Sequence, residues 1–215
     1  MGKIIGINGS PRRNWNCADL IDYALGGAKE EGAETVQYDL FHLKFAGCIS
    51  CFACKLLDSP TFGRCVVRDD LTHVLEECLE ADAIVLAAPV YFGNVPGAVH
   101  SLLERLWFPG LTYSKDGALA YTRRVPTALM FTMNTPDPEY YTPLYNQIAA
   151  MNERVIGPTS VLAVPDTLQF LHYKRYASEM FDGDEKRRRR EKEFPKELEK
   201  ARRIGHELAR LSSGQ

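Results

Sequence analysis

Nothing in this chain of 215 residues approaches the ~20 consecutive apolar residues that a membrane-spanning helix requires. An excess of charge of one sign is also missing. The 26 Lys and Arg against 28 Asp and Glu leave a net charge of −2, so neither nucleic acid nor an anionic membrane is an expected partner. His42, His73, His100, His172 and His206 show no metal-like spacing, and no repeat or low-complexity tract interrupts the chain. The opening residues enter a strand directly, with no room for a cleavable leader, and the expected location is cytoplasmic. With 45% hydrophobic residues the chain has enough apolar material for one well-buried α/β domain. That domain is expected over 1–215, with a cysteine-rich insert at about 45–68 and a C-terminal helical extension at about 166–215.

Apolar runs of strand length recur at Lys3–Asn8, Thr35–Leu40, Ala83–Ala88, Val125–Met133 and Ser160–Val164. Several are continuous rather than alternating, as in strands buried on both faces of a parallel sheet. Helical periodicity fills the intervals. Cys17, Leu20, Ile21, Ala24, Leu25 and Ala28 form one stripe, Leu71, Val74, Leu75, Cys78 and Leu79 a second, and Val95, Ala98, Val99, Leu102, Leu103 and Leu106 a third. A fourth helix is expected from about Glu139 to Val155. A last region from about Asp184 to Leu211 is expected to kink or restart at Pro195. Five strands alternating with helices predict a doubly wound α/β sheet, five-stranded and parallel, with helices on both faces. No G-x-G-x-x-G follows the first strand, and no acidic residue marks the second as in a dinucleotide site. The flavodoxin-like strand order is therefore preferred, with a ligand crevice at the carboxyl ends of the strands.

The first strand runs into Gly9-Ser10-Pro11-Arg12-Arg13-Asn14-Trp15-Asn16-Cys17 and then a helix. A strand–turn–helix unit points free backbone N–H groups and a positive dipole end at one place, which suits a phosphate. The same residues also serve as a plain helix cap. Arg12 and Arg13 favour the phosphate, because two cations at the positive end of a helix serve no capping purpose. At the end of the third strand, Pro89-Val90-Tyr91-Phe92-Gly93-Asn94 places aromatics where such a sheet keeps its crevice, with N–H groups near Gly93-Asn94 for a polar rim. Thr132-Met133-Asn134 is a plausible further wall.

Four of six cysteines crowd into one segment. Cys48, Cys51 and Cys54 form C-x2-C-x2-C, with ten residues between Cys54 and Cys65. That compact spacing is of the kind that holds a 4Fe–4S cluster. A four-cysteine zinc site, which usually presents two separated knuckles, and a metal-free structural loop remain as alternatives. The run Lys186–Glu193 reads as a solvated helix face with Asp184/Arg188 and Glu185/Arg189 pairs. The aromatic stretch Asp166–Phe181 is core packing, an arm over a neighbour, or a lid.

Three segments, in order, resemble the NADPH-dependent FMN reductase and iron–sulfur flavoprotein family: Gly9–Asn16, Gly47–Cys54 with Gly63-Arg64-Cys65 and Asp69-Asp70-Leu71, and Ala88–Pro96. Two positions depart from the family pattern: Trp15 stands where a small residue is usual, and Cys17 where Ser or Thr is usual. The resemblance implies FMN, its phosphate held by Ser10, Arg12, Asn16 and the loop beside Cys17, its ring against Pro89, Val90, Tyr91, Phe92, Gly93 and Asn94. Trp15 would cover the ribityl chain or pack at a subunit contact. It further implies an oxidoreductase taking electrons from NAD(P)H and passing them to a quinone, nitroaromatic or flavin, with flavin-centred chemistry and no protein nucleophile. The alternative is an electron carrier with a 4Fe–4S cluster on Cys48, Cys51, Cys54 and Cys65 and a ferredoxin-type donor. A homodimer or homotetramer is implied in either case.

Overall fold

The computed structural model describes residues 2–213; the last two positions of the expected C-terminal extension lie outside them. Five parallel strands, β1 (Lys3–Asn8), β2 (Glu34–Asp39), β3 (Ala83–Pro89), β4 (Thr127–Thr132) and β5 (Thr159–Val164), lie in the order β2-β1-β3-β4-β5. This is the expected flavodoxin-like order. The fourth strand is shorter than its apolar run. Pro126 has no N–H for the ladder, and Val125 instead donates to Ile156 ahead of the strand.

The helices are α1 (Asn16–Glu30), α2 (Leu71–Glu80), α3 (Gly97–Gly110), α4 (Thr142–Val155), α5 (Gly183–Lys192) and α6 (Phe194–Ser213). Side chains of β3 divide between two cores. Ile84, Leu86 and Ala88 pack toward α2, α3 and α4, whereas Ala83, Val85 and Ala87 pack toward α1 and α6. Alternation along a strand buried on both faces accounts for its uninterrupted apolar run. Gly205 lets α6 press against α1, since a Cβ there would stand 1.8 Å from the Ala24 carbonyl oxygen. Among the described residues no helix is long and apolar enough to cross a membrane.

One sequence expectation changes and another is met. The fourth helix begins later, because Pro138–Tyr141 forms a separate 3-10 turn capped by the Asp137 carboxylate. The last helical region is two helices: the chain breaks at Glu193, and Pro195 sits in the first turn of α6, where a missing N–H costs nothing.

Candidate functional site

The loops that follow β1, β3, β4 and β5 meet at the carboxyl edge of the sheet. Between them lies a half-open cleft of about 180 Å³. It sits where the strand order reverses direction, between β1 and β3. Ser10, Arg12, Trp15, Asn16 and Cys17 form one wall, Pro89, Val90 and Tyr91 a second, and Thr132, Met133 and Asn134 a third. Thr167, Leu168, Gln169 and Phe170 close the fourth side.

The first wall is preorganised from below. Asn8, fully buried at the end of β1, donates to Asp39 at 2.8 Å and accepts the Ser10 N–H at 3.0 Å. The Ser10 hydroxyl oxygen in turn accepts the Arg12 N–H at 3.2 Å. Trp15 caps α1 without a side-chain hydrogen bond. Among the described residues, the backbone N–H groups of 13–18 meet no acceptor. A run of unmatched donors at a helix N-terminus is an anion cradle.

Not every expected contact is free. Arg13 turns away from the cleft, donating to His42 at 2.8 Å and lying 3.5 Å from Asp39. Asn16 has both polar ends engaged: its amide donates to the Leu168 carbonyl at 3.1 Å, and its oxygen accepts from Arg190 at 2.5 Å. Asn16 therefore stiffens the wall and leaves anion contact to its backbone N–H. Cys17 lies 3.3 Å from the Thr132 hydroxyl. Burial pushes its thiol up to about 12, with that hydrogen bond opposing, so it stays neutral at ordinary pH.

In the second wall, Tyr91 and Asn94 pair through both backbone hydrogen bonds, at 2.7 and 3.0 Å, closing a tight turn. Phe92 and Gly93 at its tip have φ of 51° and 76°, the left-handed values of mirror-image hairpin turns. Phe92 is consequently thrust fully into solvent rather than into the cleft. The Asn94 N–H is occupied, and the Val90 N–H donates to Thr132, so the free donors of this loop are those of Phe92 and Gly93. The Asn94 side chain binds His100 at 2.8 Å and faces a separate, mainly apolar cavity between α3 and α4.

The fourth wall comes from the start of the Asp166–Phe181 stretch, whose sequence allows core packing, an arm or a lid. Residues 166–170 form a strap, tied to the loop after β4 by Thr167 donating twice to the Met133 carbonyl. Arg12 donates to Gln169 at 2.5 Å and Trp15 to Leu168 at 3.0 Å across the cleft. From α5, buried Lys186 donates to Asp166 and to Asn134, while Arg189 and Arg190 pair with Asp166 and Asp19. The expected Asp184/Arg188 and Glu185/Arg189 pairs do not form. Carboxylates lying beneath α5 draw its cations inward, and Asp184 pairs with Arg187 instead.

Cys48, Cys51, Cys54 and Cys65 line one small apolar pocket against α3, together with Arg105 and Phe108. All four are free thiols. Among the described residues, no group of three His, Cys, Asp or Glu is arranged around a single point as metal ligands would be. The loop itself curls tightly, with left-handed φ at Ser50 and Phe52, and the backbone N–H groups of 49–54 meet no acceptor among the described residues. Lys55 anchors the insert by donating to the carbonyls of Phe108, Pro109 and Leu111 at the C-terminal end of α3.

A family model described as NADPH-dependent FMN reductase matches residues 2–130. The chain belongs to that family. The match covers the anion cradle, the cysteine insert and the Tyr91 turn, but stops short of the strap and α5. An iron–sulfur flavoprotein of Methanosarcina thermophila is 42% identical over 103 residues, 48% of this chain and 51% of the relative. The alignment thus spans about half the length of the curated relatives. Among solved structures, the NAD(P)H:quinone oxidoreductase from Methanothermobacter marburgensis matches with a TM-score of 0.71 at 14% identity, covering 96% of this chain and 98% of that one. A flavodoxin from the domain Archaea matches at 0.53 and 11% identity, covering 98% and 99%. Identities this low establish the fold the FMN reductase family shares with them and nothing finer.

Proposed function

We propose that the cleft binds FMN and that the protein is an FMN-dependent NAD(P)H oxidoreductase delivering electrons to a small acceptor such as a quinone, nitroaromatic or flavin. The observation that carries this reading is the run of unmatched N–H groups at 13–18, beside the Ser10 hydroxyl and Arg12, at the switch point of the sheet. In this reading Ser10, Arg12 and those N–H groups hold the phosphate. Tyr91 and Trp15 flank the ring and ribityl chain, and the N–H groups of Phe92 and Gly93 face its polar rim. The cleft is smaller than the roughly 300–1,000 Å³ of a typical ligand site, because Arg12 and Trp15 draw the strap across it. A bound nucleotide takes Arg12 from Gln169 and occupies cleft and mouth together. Bound FMN supplies hydride acceptance from reduced nicotinamide and electron transfer to the acceptor. The protein contributes position and electrostatics; Cys17, neutral and buried, is no nucleophile. The test is titration of the protein with FMN, followed by NADPH oxidation with menadione under ping-pong analysis. Failure to bind FMN sinks the reading.

A second redox group is favoured by the insert. The four cysteines line one pocket, and a buried guanidinium lines it with them. A cation beside four cysteines in one pocket suits an anionic 4Fe–4S cluster, the group that names the iron–sulfur flavoprotein relatives. Cys48, Cys51, Cys54 and Cys65 would hold it, and it would supply single-electron exchange with a ferredoxin-type donor or another protein partner. Exposed Ile49, Phe52, Leu56 and Leu57 on the insert, with Phe92 on the neighbouring turn, support a homo-oligomer that covers this apolar surface. Iron and acid-labile sulfide content after anaerobic purification tests the cluster, and sedimentation velocity tests the assembly.

A further inference from the structure

Arg105, on α3, is 1% exposed and the bulkiest of the fully enclosed side chains. Its Nη1 donates to the Ala46 carbonyl at 3.0 Å and to Asp69 at 2.5 Å, and Nη2 to the Val67 carbonyl at 2.9 Å. These bonds clip both ends of the cysteine insert to the helix. They leave Nε with nothing. Among the described residues it is the one buried side-chain nitrogen or oxygen without a hydrogen-bond partner. Buried polar groups are almost always matched, and a cationic donor is the costliest to leave alone. The guanidinium also lines the pocket of the four cysteines.

We propose that Arg105 is a positioning and charge-compensating residue for an anionic group held by Cys48, Cys51, Cys54 and Cys65, with its free Nε–H donating to the Cys65 sulfur. The proposal rests on the cluster reading above. Arg105 and Cys65 line the same pocket. Four thiolates give an iron–sulfur cluster net negative charge, and reduction adds one electron more. A cation enclosed beside it in a low-dielectric interior favours the reduced state and raises the potential. Asp69, bonded to the same guanidinium, works against it. Because a guanidinium keeps its proton throughout the working range, the compensation is constant with pH.

The test is a redox titration followed by electron paramagnetic resonance on full-length protein reconstituted anaerobically with iron and sulfide. Wild-type protein that takes up no cluster refutes the cluster reading itself. With a cluster loaded, Arg105→Gln, which removes the charge, is expected to lower the reduction equilibrium constant at least tenfold, about 59 mV for one electron, and Arg105→Lys, which keeps it, by less. Asp69→Asn, isosteric and partly exposed, leaves Arg105 in place and is expected to raise it. Loaded Arg105→Gln and Asp69→Asn proteins with wild-type potentials overturn the proposal and leave Arg105 as a loop clip. If the Arg105 variants do not fold, Asp69→Asn decides alone: a raised potential supports the charge pair, and an unchanged one refutes it.

Discussion

Arg12 donates to the backbone carbonyl of Gln169, 2.5 Å away on the far side of the cleft, joining the loop after β1 to the strap after β5. The same guanidinium lies over the Trp15 ring, 5.4 Å from its centroid. It is the cationic side chain placed to meet a phosphate seated on the N–H groups of 13–18. Arg12→Ala is expected to weaken FMN by roughly 10- to 100-fold, the range of a charged hydrogen bond worth about 1.5–3 kcal/mol. Riboflavin, which lacks the phosphate, should lose little. Fluorescence titration with both flavins distinguishes the roles. Equal losses would mean that Arg12 acts by holding the strap.

Cys17 faces the cleft, yet burial holds its thiol near 12. Iodoacetamide at pH 8 should therefore leave Cys17 unmodified in the folded protein while labelling exposed Cys48 and Cys51. Cys17→Ala should cost about 1–2 kcal/mol of stability, for a small cavity and a Thr132 hydroxyl left without its partner, and keep NADPH oxidation. Peptide mapping showing rapid Cys17 labelling would contradict the assignment.

Asp69 ties the insert to α3 and carries a pH signature. Burial pushes its carboxyl up, but hydrogen bonds from Arg105, Ala46 and Leu71 outweigh that and hold it below the usual range. A folded value below the unfolded one, about 3.9, means stability that is present above pH 4. It is lost as pH falls through the depressed folded value. Urea midpoints of Asp69→Asn should therefore lie below wild type at pH 7, and the gap should close in more acidic buffer. A gap constant from pH 7 to pH 2 would show that the carboxylate charge is not what stabilises the loop.

The sheet was legible because burial on two faces writes continuous apolar runs, as in Ala83–Ala88, and because no dinucleotide fingerprint follows β1. The first wall of the cleft was legible for a local reason: Ser10 through Cys17 are consecutive. What failed was partner choice. Nothing near Arg13 or Asn16 in sequence announces Asp39 or Arg190, which the fold brings up from 26 and 174 residues away. The strap was left among three readings for the same reason. It reaches the cleft through a left-handed turn at Asp166, and it is pinned by Lys186 from a helix that reads as a charged, solvated face.

That pin can be removed. Lys186 is nearly buried and donates to Asp166 and to both oxygens of Asn134, a cleft residue. Lys186→Met should cost about 3 kcal/mol, the low end for breaking a buried pair, because Arg189 remains 3.1 Å from Asp166. Lys186→Met combined with Asp166→Asn should recover part of the loss. Additive losses in chemical denaturation would show that the two side chains do not act as a pair.

Phe92 holds a bulky side chain in a left-handed conformation with its whole surface in water, an arrangement that costs about 1–2 kcal/mol and that glycine relieves. A monomer gains nothing from it. If the ring docks on another copy of the chain, as the apolar insert beside it implies, Phe92→Gly should raise or preserve the melting temperature of dilute protein while weakening self-association in sedimentation velocity. FMN binding through the phosphate cradle, on the opposite wall of the cleft, should be little changed. Should the variant associate as wild type does and lose FMN instead, the ring belongs to the cofactor and the turn must rearrange to bring it there.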